Sequence, residues 1–295
     1  MAHPWSIELE TAMMNAYDSN NALGRNNAGR AGHGDAEAPF GARQVMRAER
    51  RTAAERKNTE SASLNALLAN EILSGLPTEE FERLLPHLEP VTLVAGEDLY
   101  QFEGGVTYAY FPESVVISQL HILGDGNTTE AAMVGREGLV GLSAVFNAPQ
   151  PAYWTRVLVA GNALRIRVDI LKQEFGRGLT LQRKLLAYTA ARMAQLSMRA
   201  VCTGSHKVDE RLCCWLLMLH DRARADQLQL THELIASHLG VRRAGITVSA
   251  NALRDVAGIS YSRGQLRILD RQLLEAAACE CYQMMVQPAG RVRVT

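Results

Sequence analysis

Three textures of apolar and polar residues follow one another along the chain. Leu64, Leu67, Leu68, Ile72 and Leu73 stand three or four residues apart, a spacing that predicts a helix. Leu76-Pro77-Thr78 closes it and opens a second helix, with Thr78 as N-cap and Pro86 near its end. From Val91 to Val168 the runs shorten. VTLV, LYQF, YAYF, VVISQLHIL and TTEAAMV are split by AGED, EGG, PES, GDGN and GREG. Runs spaced about ten residues apart predict an all-β sandwich or barrel. Asp125-Gly126 is a hairpin turn, and TRVLVAG and ALRIRV are the closing strands. Helical spacing returns at 178–202, where Leu179, Leu186, Met193, Leu196 and Ala200 form a seam completed by Gln182 and Thr189. Such a seam either packs as an ordinary core helix or pairs with a copy of itself, and spacing alone leaves both open. A helix at Val208–Asp221, two shorter helices and a hairpin at Ile259–Ile268 follow. The fold class is therefore α+β.

Residues 1–62 differ from all of this. They are poor in large apolar side chains and rich in Asn, Gly, Ala, Arg and Glu, which predicts a disordered extension, with Met46 as an alternative first residue. No run of about 18 apolar residues predicts a membrane helix. The opening MAHPWSIELE lacks the basic and apolar regions of a secretion signal, so a cytoplasmic location without a membrane partner is expected.

The 295 residues suggest about two domains. Formal net charge is zero, but the charge is segregated. Residues 64–176 carry 6 basic and 14 acidic side chains, residues 177–205 carry 5 and 0, and residues 206–295 carry 12 and 9. An acidic middle before a basic C-terminal third is compatible with an anionic partner such as nucleic acid. The five cysteines all lie at or beyond Cys202, and their odd number argues against a disulfide framework. Cys213 and Cys214 fall among Leu212, Leu216 and Leu217 and read as small core residues. Cys279-x-Cys281 offers two thiolates, too few for a four-ligand metal site, so no metal is expected. His121 stands alone in a strand and reads as structural. No glycine-rich phosphate loop and no nucleophile–base motif is present, which argues against an enzyme.

The most informative stretch is Thr231 to Arg254, THELIASHLGVRRAGITVSANALR. Two short helices crossing around a tight turn need a small residue at the crossing, a glycine in the turn and aliphatics around both. Ala236, Gly240 and the set Ile235, Leu239, Val241 and Ile246 meet those needs, with Thr231 as N-cap and Glu233 near the positive helix end. Arg242 stands where Ser or Thr would cap better, and Ser249 where an aliphatic is more usual. A generic helical hairpin shares part of this pattern. Read as a helix-turn-helix, the second helix lies in a major groove. Arg243 is then placed for a guanine edge and Arg242 for the backbone, with Ala244, Gly245, Thr247 and Val248 allowing close approach and Thr231 and His232 beside them. Ile259 to Ile268, turning at Arg263-Gly264, is a wing whose Ser260, Tyr261, Ser262 and Arg263 can meet phosphates. A solvated hairpin without a partner is the plain alternative.

Residues 64–282 resemble the Crp/Fnr family of transcription regulators. The likeness rests on GEDLYQFEGG followed by YAYFPES, on AAMVGREGLVG, and on VRRAGIT followed by YSRGQLRILDRQLLEAAACECY. It implies a jelly-roll-like β-roll sensor domain at 63–176, a dimerisation helix at 177–204 and a winged helix-turn-helix domain at 205–285, flanked by the extension at 1–62 and a tail at 286–295. It also implies a homodimer joined through Leu179, Leu186, Met193, Leu196 and Ala200, double-stranded DNA and RNA polymerase as partners, and a small-molecule effector pocket. Val140, Gly141, Leu142, Ser143, Tyr153 and Arg156 match that pocket. Members that bind cyclic AMP hold its ribose with Gly-Glu and its phosphate with Arg-Ser. Here Leu142 replaces the Glu, Tyr153 and Trp154 stand near the Arg-Ser pair, and Arg156 is displaced, so a cyclic nucleotide is not expected. Oxygen-sensing members hold an iron–sulfur cluster on cysteines near the N-terminus, and no cysteine precedes Cys202. No fixed cofactor is expected. The competing reading is a ligand-binding, self-associating module whose helical tail does not read DNA.

Overall fold

A computed structural model describes residues 68–100, 105–124, 126–148, 153–254 and 256–286. The extension expected at 1–62 lies outside the described residues, as does the tail beyond 286. The chain divides into two compact units, one holding 73–88 and the other 69–72 with 89 onward.

A short helix, α1 (Glu71–Ser74), leads into the first unit, which contains α2 (Thr78–Leu84) and a 3-10 turn over Leu85–His87. Pro77, not Thr78, occupies the N-cap of α2, and no side chain caps it. Thr78 is thus the first helical residue. Glu79 and Glu80 in the first turn offset the helix dipole instead.

In the second unit seven antiparallel strands build the roll: β1 (Glu89–Leu93), β2 (Asp98–Tyr100), β3 (Tyr108–Pro112), β4 (Val116–Ile122), β5 (Thr128–Val134), β6 (Trp154–Val159) and β7 (Gly161–Arg167). They form two sheets, ordered β1-β7-β3 and β2-β6-β4-β5. Leu93, Tyr110, Ile117, Val134, Val157 and Ala163 come from both sheets and close one core between them. The sandwich read from the strand runs is therefore a β-roll. A one-turn helix, α3 (Leu142–Val145), sits between β5 and β6.

After α4 (Val168–Gly176) comes the long helix α5 (Thr180–Ser205), 26 residues. Leu179 stands at its N-cap rather than within it. Next is α6 (Val208–Ala223), whose start is fixed where Lys207 N–H donates to Glu210 at 2.9 Å. Leu212 through Leu219 are all buried, so the middle of α6 is enclosed on every side and forms the centre of the C-terminal core. Cys213 and Cys214 are core residues there, as expected. Around α6 pack α7 (His232–Leu239), α8 (Arg243–Leu253), a sheet ordered β8-β10-β9 (Gln227–Gln229, Gln265–Ile268, Ile259–Ser262), α9 (Arg271–Ala277) and α10 (Cys281–Val286). Among the described residues no helix is long and apolar enough to cross a membrane.

Candidate nucleic-acid interface

Helix α7 begins at Thr231, whose Oγ1 accepts from Leu234 N–H at 3.1 Å, as an N-cap hydroxyl should. It ends at Gly240 with φ 64 and ψ 40. A Cβ there would meet Thr129 at 3.2 Å, so both the backbone angle and the close approach call for glycine. Ile235, Ala236, Leu239 and Ile246 are buried between α7 and α8, with Val241 half-buried. Ser249 is also buried, so the position is a core one despite its polar side chain. Arg242 holds the N-cap of α8 without a side-chain bond, so the first amides of α8 have no side-chain cap there.

This packing leaves one face of α8 uncovered. Arg242, Arg243, Ala244, Thr247 and Val248 are exposed, Val248 by 70%. Gly245 is half-buried. The Arg243 side chain is 70% exposed and only loosely attended by Glu233 at 3.9 Å. Beside it β9 and β10 form the wing. Arg263 and Gly264 both take positive φ, 49 and 78, the backbone of a tight two-residue hairpin turn. Arg263 and Ser262 are exposed at the tip and Ser260 is half-buried.

His232 joins wing to helix. Its ring stacks on Tyr261 with centroids 4.2 Å apart, and its Nδ1 lies 3.1 Å from Thr247 Oγ1. Burial, with the charge of Arg243, keeps its pKa below the ordinary imidazole range. The Tyr261 hydroxyl donates to the Leu230 carbonyl at 2.7 Å. His232 and Tyr261 were expected as contact residues. The structure gives both an internal tie that fixes the wing against α7 and α8, while Thr231, Arg242, Arg243, Ala244, Thr247, Val248 and Arg263 are exposed.

A cavity of about 230 Å³ lies between the roll and α5. Gly141, Leu142, Ser143 and Tyr153 line it, joined by Tyr100, Gln119, Thr155, Tyr188 and Arg192. Two expected members do not. Val140 is fully buried and bridges the backbone of Tyr110. Arg156 alternates with Thr155 along β6, and its guanidinium pairs with Asp98 at 2.5 and 2.9 Å. The lining cation comes instead from α5: Arg192, held by Met133 O at 3.0 Å and Gln119 at 2.9 Å. Met193 and Leu196 also line the cavity, and Leu179, Leu186, Met193 and Ala200 are exposed along α5.

A second polar centre surrounds Glu130. The fully buried Glu130 carboxylate on β5 accepts from Ser118 at 2.6 Å, Arg199 at 2.9 Å and Trp215 Nε1 at 2.9 Å. His238 Nε2 stands 3.7 Å away, and Arg199 also donates to His238 O at 3.0 Å. Burial works to raise the Glu130 pKa. The charges of Arg199 and His238 and the bonds from Ser118 and Trp215 outweigh it and hold the pKa below the usual carboxylate value. One carboxylate thereby links roll, α5, α6 and α7.

Cys279 and Cys281 do not stand as an isolated pair, because Cys202 and His206 from the end of α5 join them with all four ligand atoms within 4.8 Å of one another. Burial pushes the Cys279 thiol up to about 12 and the Cys281 thiol up to about 11, so without a cation both keep their protons.

Residues 210–277 match the Crp-like helix-turn-helix domain family. No curated protein matches the chain significantly by sequence. Similar solved structures include FixK2 from Bradyrhizobium japonicum, 18% identical, covering 65% of this chain and 98% of that one with a TM-score of 0.56. A protein assigned to the Crp/Fnr transcriptional regulators of Eubacterium rectale is 19% identical, covering 70% and 97% with a TM-score of 0.56. The c-di-GMP responsive global regulator CLP of Xanthomonas campestris is 16% identical, covering 66% and 100% with a TM-score of 0.55. At such identities the likeness concerns the fold: a roll, a long helix and a winged helix-turn-helix.

Proposed function

Because the chain carries a Crp-like helix-turn-helix domain in the fold of the Crp/Fnr regulators, we propose that it is a homodimeric, sequence-specific transcription regulator controlled through its roll. The observation that carries this reading is the uncovered face of α8, where Arg243 and Arg242 project beside a wing fixed by His232 and Tyr261. Arg243 reads a base edge in the major groove, bidentate to guanine O6 and N7. Arg242 and the wing residues Ser260 and Arg263 meet phosphates, which set register without specifying sequence. Ala244, Thr247 and Val248 let the helix approach closely.

Dimerisation runs along α5. Leu179, Leu186, Met193 and Ala200 recur every seventh residue and lie exposed in the single chain, a stripe that a second copy covers. Two recognition helices then meet successive major grooves about 34 Å apart, and the operator is a near-palindrome. The cavity takes a small molecule rather than a cyclic nucleotide. Leu142 and Tyr153 occupy its wall, and Arg156 is committed to Asp98. Because Met193 and Leu196 belong to both cavity wall and seam, a ligand there acts on the dimer. The protein works in the cytoplasm by binding, with RNA polymerase as a further partner, and not by catalysis.

Arg243→Ala tests the reading. Site-specific binding is expected to weaken by about 1–3 kcal/mol, roughly five- to 150-fold. Affinity for unrelated duplex should change little, as fluorescence anisotropy on matched and scrambled duplexes will show. Unchanged discrimination would remove the base-reading role and favour a self-associating module that does not read DNA.

A further inference from the structure

We propose that Cys202, His206, Cys279 and Cys281 form a tetrahedral binding site for a thiophilic divalent cation of the zinc class. The geometry fits the ion. Cys202 Sγ and Cys279 Sγ lie 3.5 Å apart, as do Cys281 Sγ and His206 Nδ1. A tetrahedral zinc with bonds of about 2.3 Å to sulfur and 2.0 Å to nitrogen needs ligand atoms roughly 3.5–3.8 Å from one another. Two of the pairs already stand at that spacing and all four atoms lie within 4.8 Å of one another, so closing on the ion takes a contraction of about an ångström at most.

The local chain explains how they meet. Cys202 lies in the last turn of α5 and His206 is its C-cap, whose N–H donates to Cys202 O at 3.1 Å and so holds the two residues together. Cys279 precedes α10 and Cys281 begins it. All three cysteines are buried, between 2% and 7% exposed, which provides the dry shell typical of a closed structural site. His206 is also oriented for ligation. Its Nε2 lies 3.3 Å from Glu280 Oε1 and its Nδ1 3.5 Å from Cys281 Sγ, so the ring stands between the carboxylate and the sulfurs. A carboxylate behind a ligating imidazole is the usual outer support of such a centre. Three thiolates and one divalent ion leave a net negative charge, and the guanidinium of Arg211 lies within electrostatic reach of Cys202 and Cys279.

A Cys202–Cys279 disulfide is the main alternative, but it leaves the orientation of His206 and the presence of Cys281 without a role. The cation would fasten the C-terminal helix α10 to the point where α5 hands over to α6 at His206-Lys207. The site is thus a staple at the joint between the long helix and the winged domain, independent of which bases α8 reads.

The test uses the full chain, purified under reducing conditions without chelator, for elemental analysis, and the metal-stripped chain for cobalt titration. One equivalent of zinc per chain is expected, with the intense visible absorption of tetrahedral cobalt thiolate on titration. Cys281→Ser and Cys279→Ser should lose both readouts, and Cys213→Ala, whose thiol lies outside the cluster, should keep them. Wild-type chain without stoichiometric metal that gives only weak octahedral cobalt absorption would overturn the site. So would a Cys202–Cys279 disulfide in freshly isolated protein, or full cobalt absorption in Cys281→Ser. The wild-type spectra decide the matter even where a variant fails to fold.

Discussion

Glu130→Leu is expected to destabilise the folded chain by about 3 kcal/mol or more, the usual scale for removing one partner of a buried ion pair. The leucine fills much of the space yet accepts nothing. Trp215 Nε1, Ser118 and Arg199 each lose the acceptor they hold at 2.6–2.9 Å, and His238 loses its neighbouring charge. For a unit of this size such a loss lowers the thermal transition by roughly 10 °C, readable by scanning calorimetry. Glu130→Gln, which keeps an acceptor, should lose less. The sign of the pH dependence follows from the depressed Glu130 pKa. Its stabilisation is present above the ordinary carboxylate pKa and is lost as pH falls through the folded value. Wild-type protein should therefore lose stability toward acid more steeply than Glu130→Leu. Equal transition temperatures for wild type and Glu130→Leu would mean that the network does not hold roll and winged domain together.

Leu186→Glu is expected to convert a dimer into monomers by light scattering. Leu186 is 50% exposed in the single chain and stands between Leu179 and Met193 on the seven-residue seam. A carboxylate placed there twice, once from each copy, must be desolvated beside its own like charge. DNA binding should fall with it. A two-headed protein gains about 10²–10⁴ in avidity from linking its half-sites, and a monomer forfeits that factor while α8 stays intact. A dimer that persists would move the interface away from α5.

Much of this architecture is legible in the residues because it follows local rules. Short alternating runs between turn residues become the seven strands, with TRVLVAG and ALRIRV as β6 and β7. Ala236, Gly240 and Ile246 set the helix crossing through requirements of size and backbone angle that only certain residues meet. What escapes sequence reading is assembled over distance. Cys202 and Cys279 are 77 residues apart, and nothing in Cys-x-Cys alone says that a helix end will bring Cys202 and His206 to it. Glu130 sits in an alternating strand like any surface carboxylate, and only the packing of α5, α6 and α7 buries it. Gln227–Gln229 is too short and polar to read as a strand until β10 pairs with it. Arg156 turns on a single step of register along β6. Thr78 yields the N-cap to Pro77 by one residue, within the usual uncertainty of a helix end.

The central claim, a dimer that reads DNA through α8, is tested most directly by selecting bound duplexes from a random pool with the purified full-length protein and sequencing them. The expected result is an enriched near-palindrome with half-sites about one helical turn apart, lost in Arg243→Ala. No enriched sequence, in buffer or after addition of cell extract to supply an effector, would contradict it.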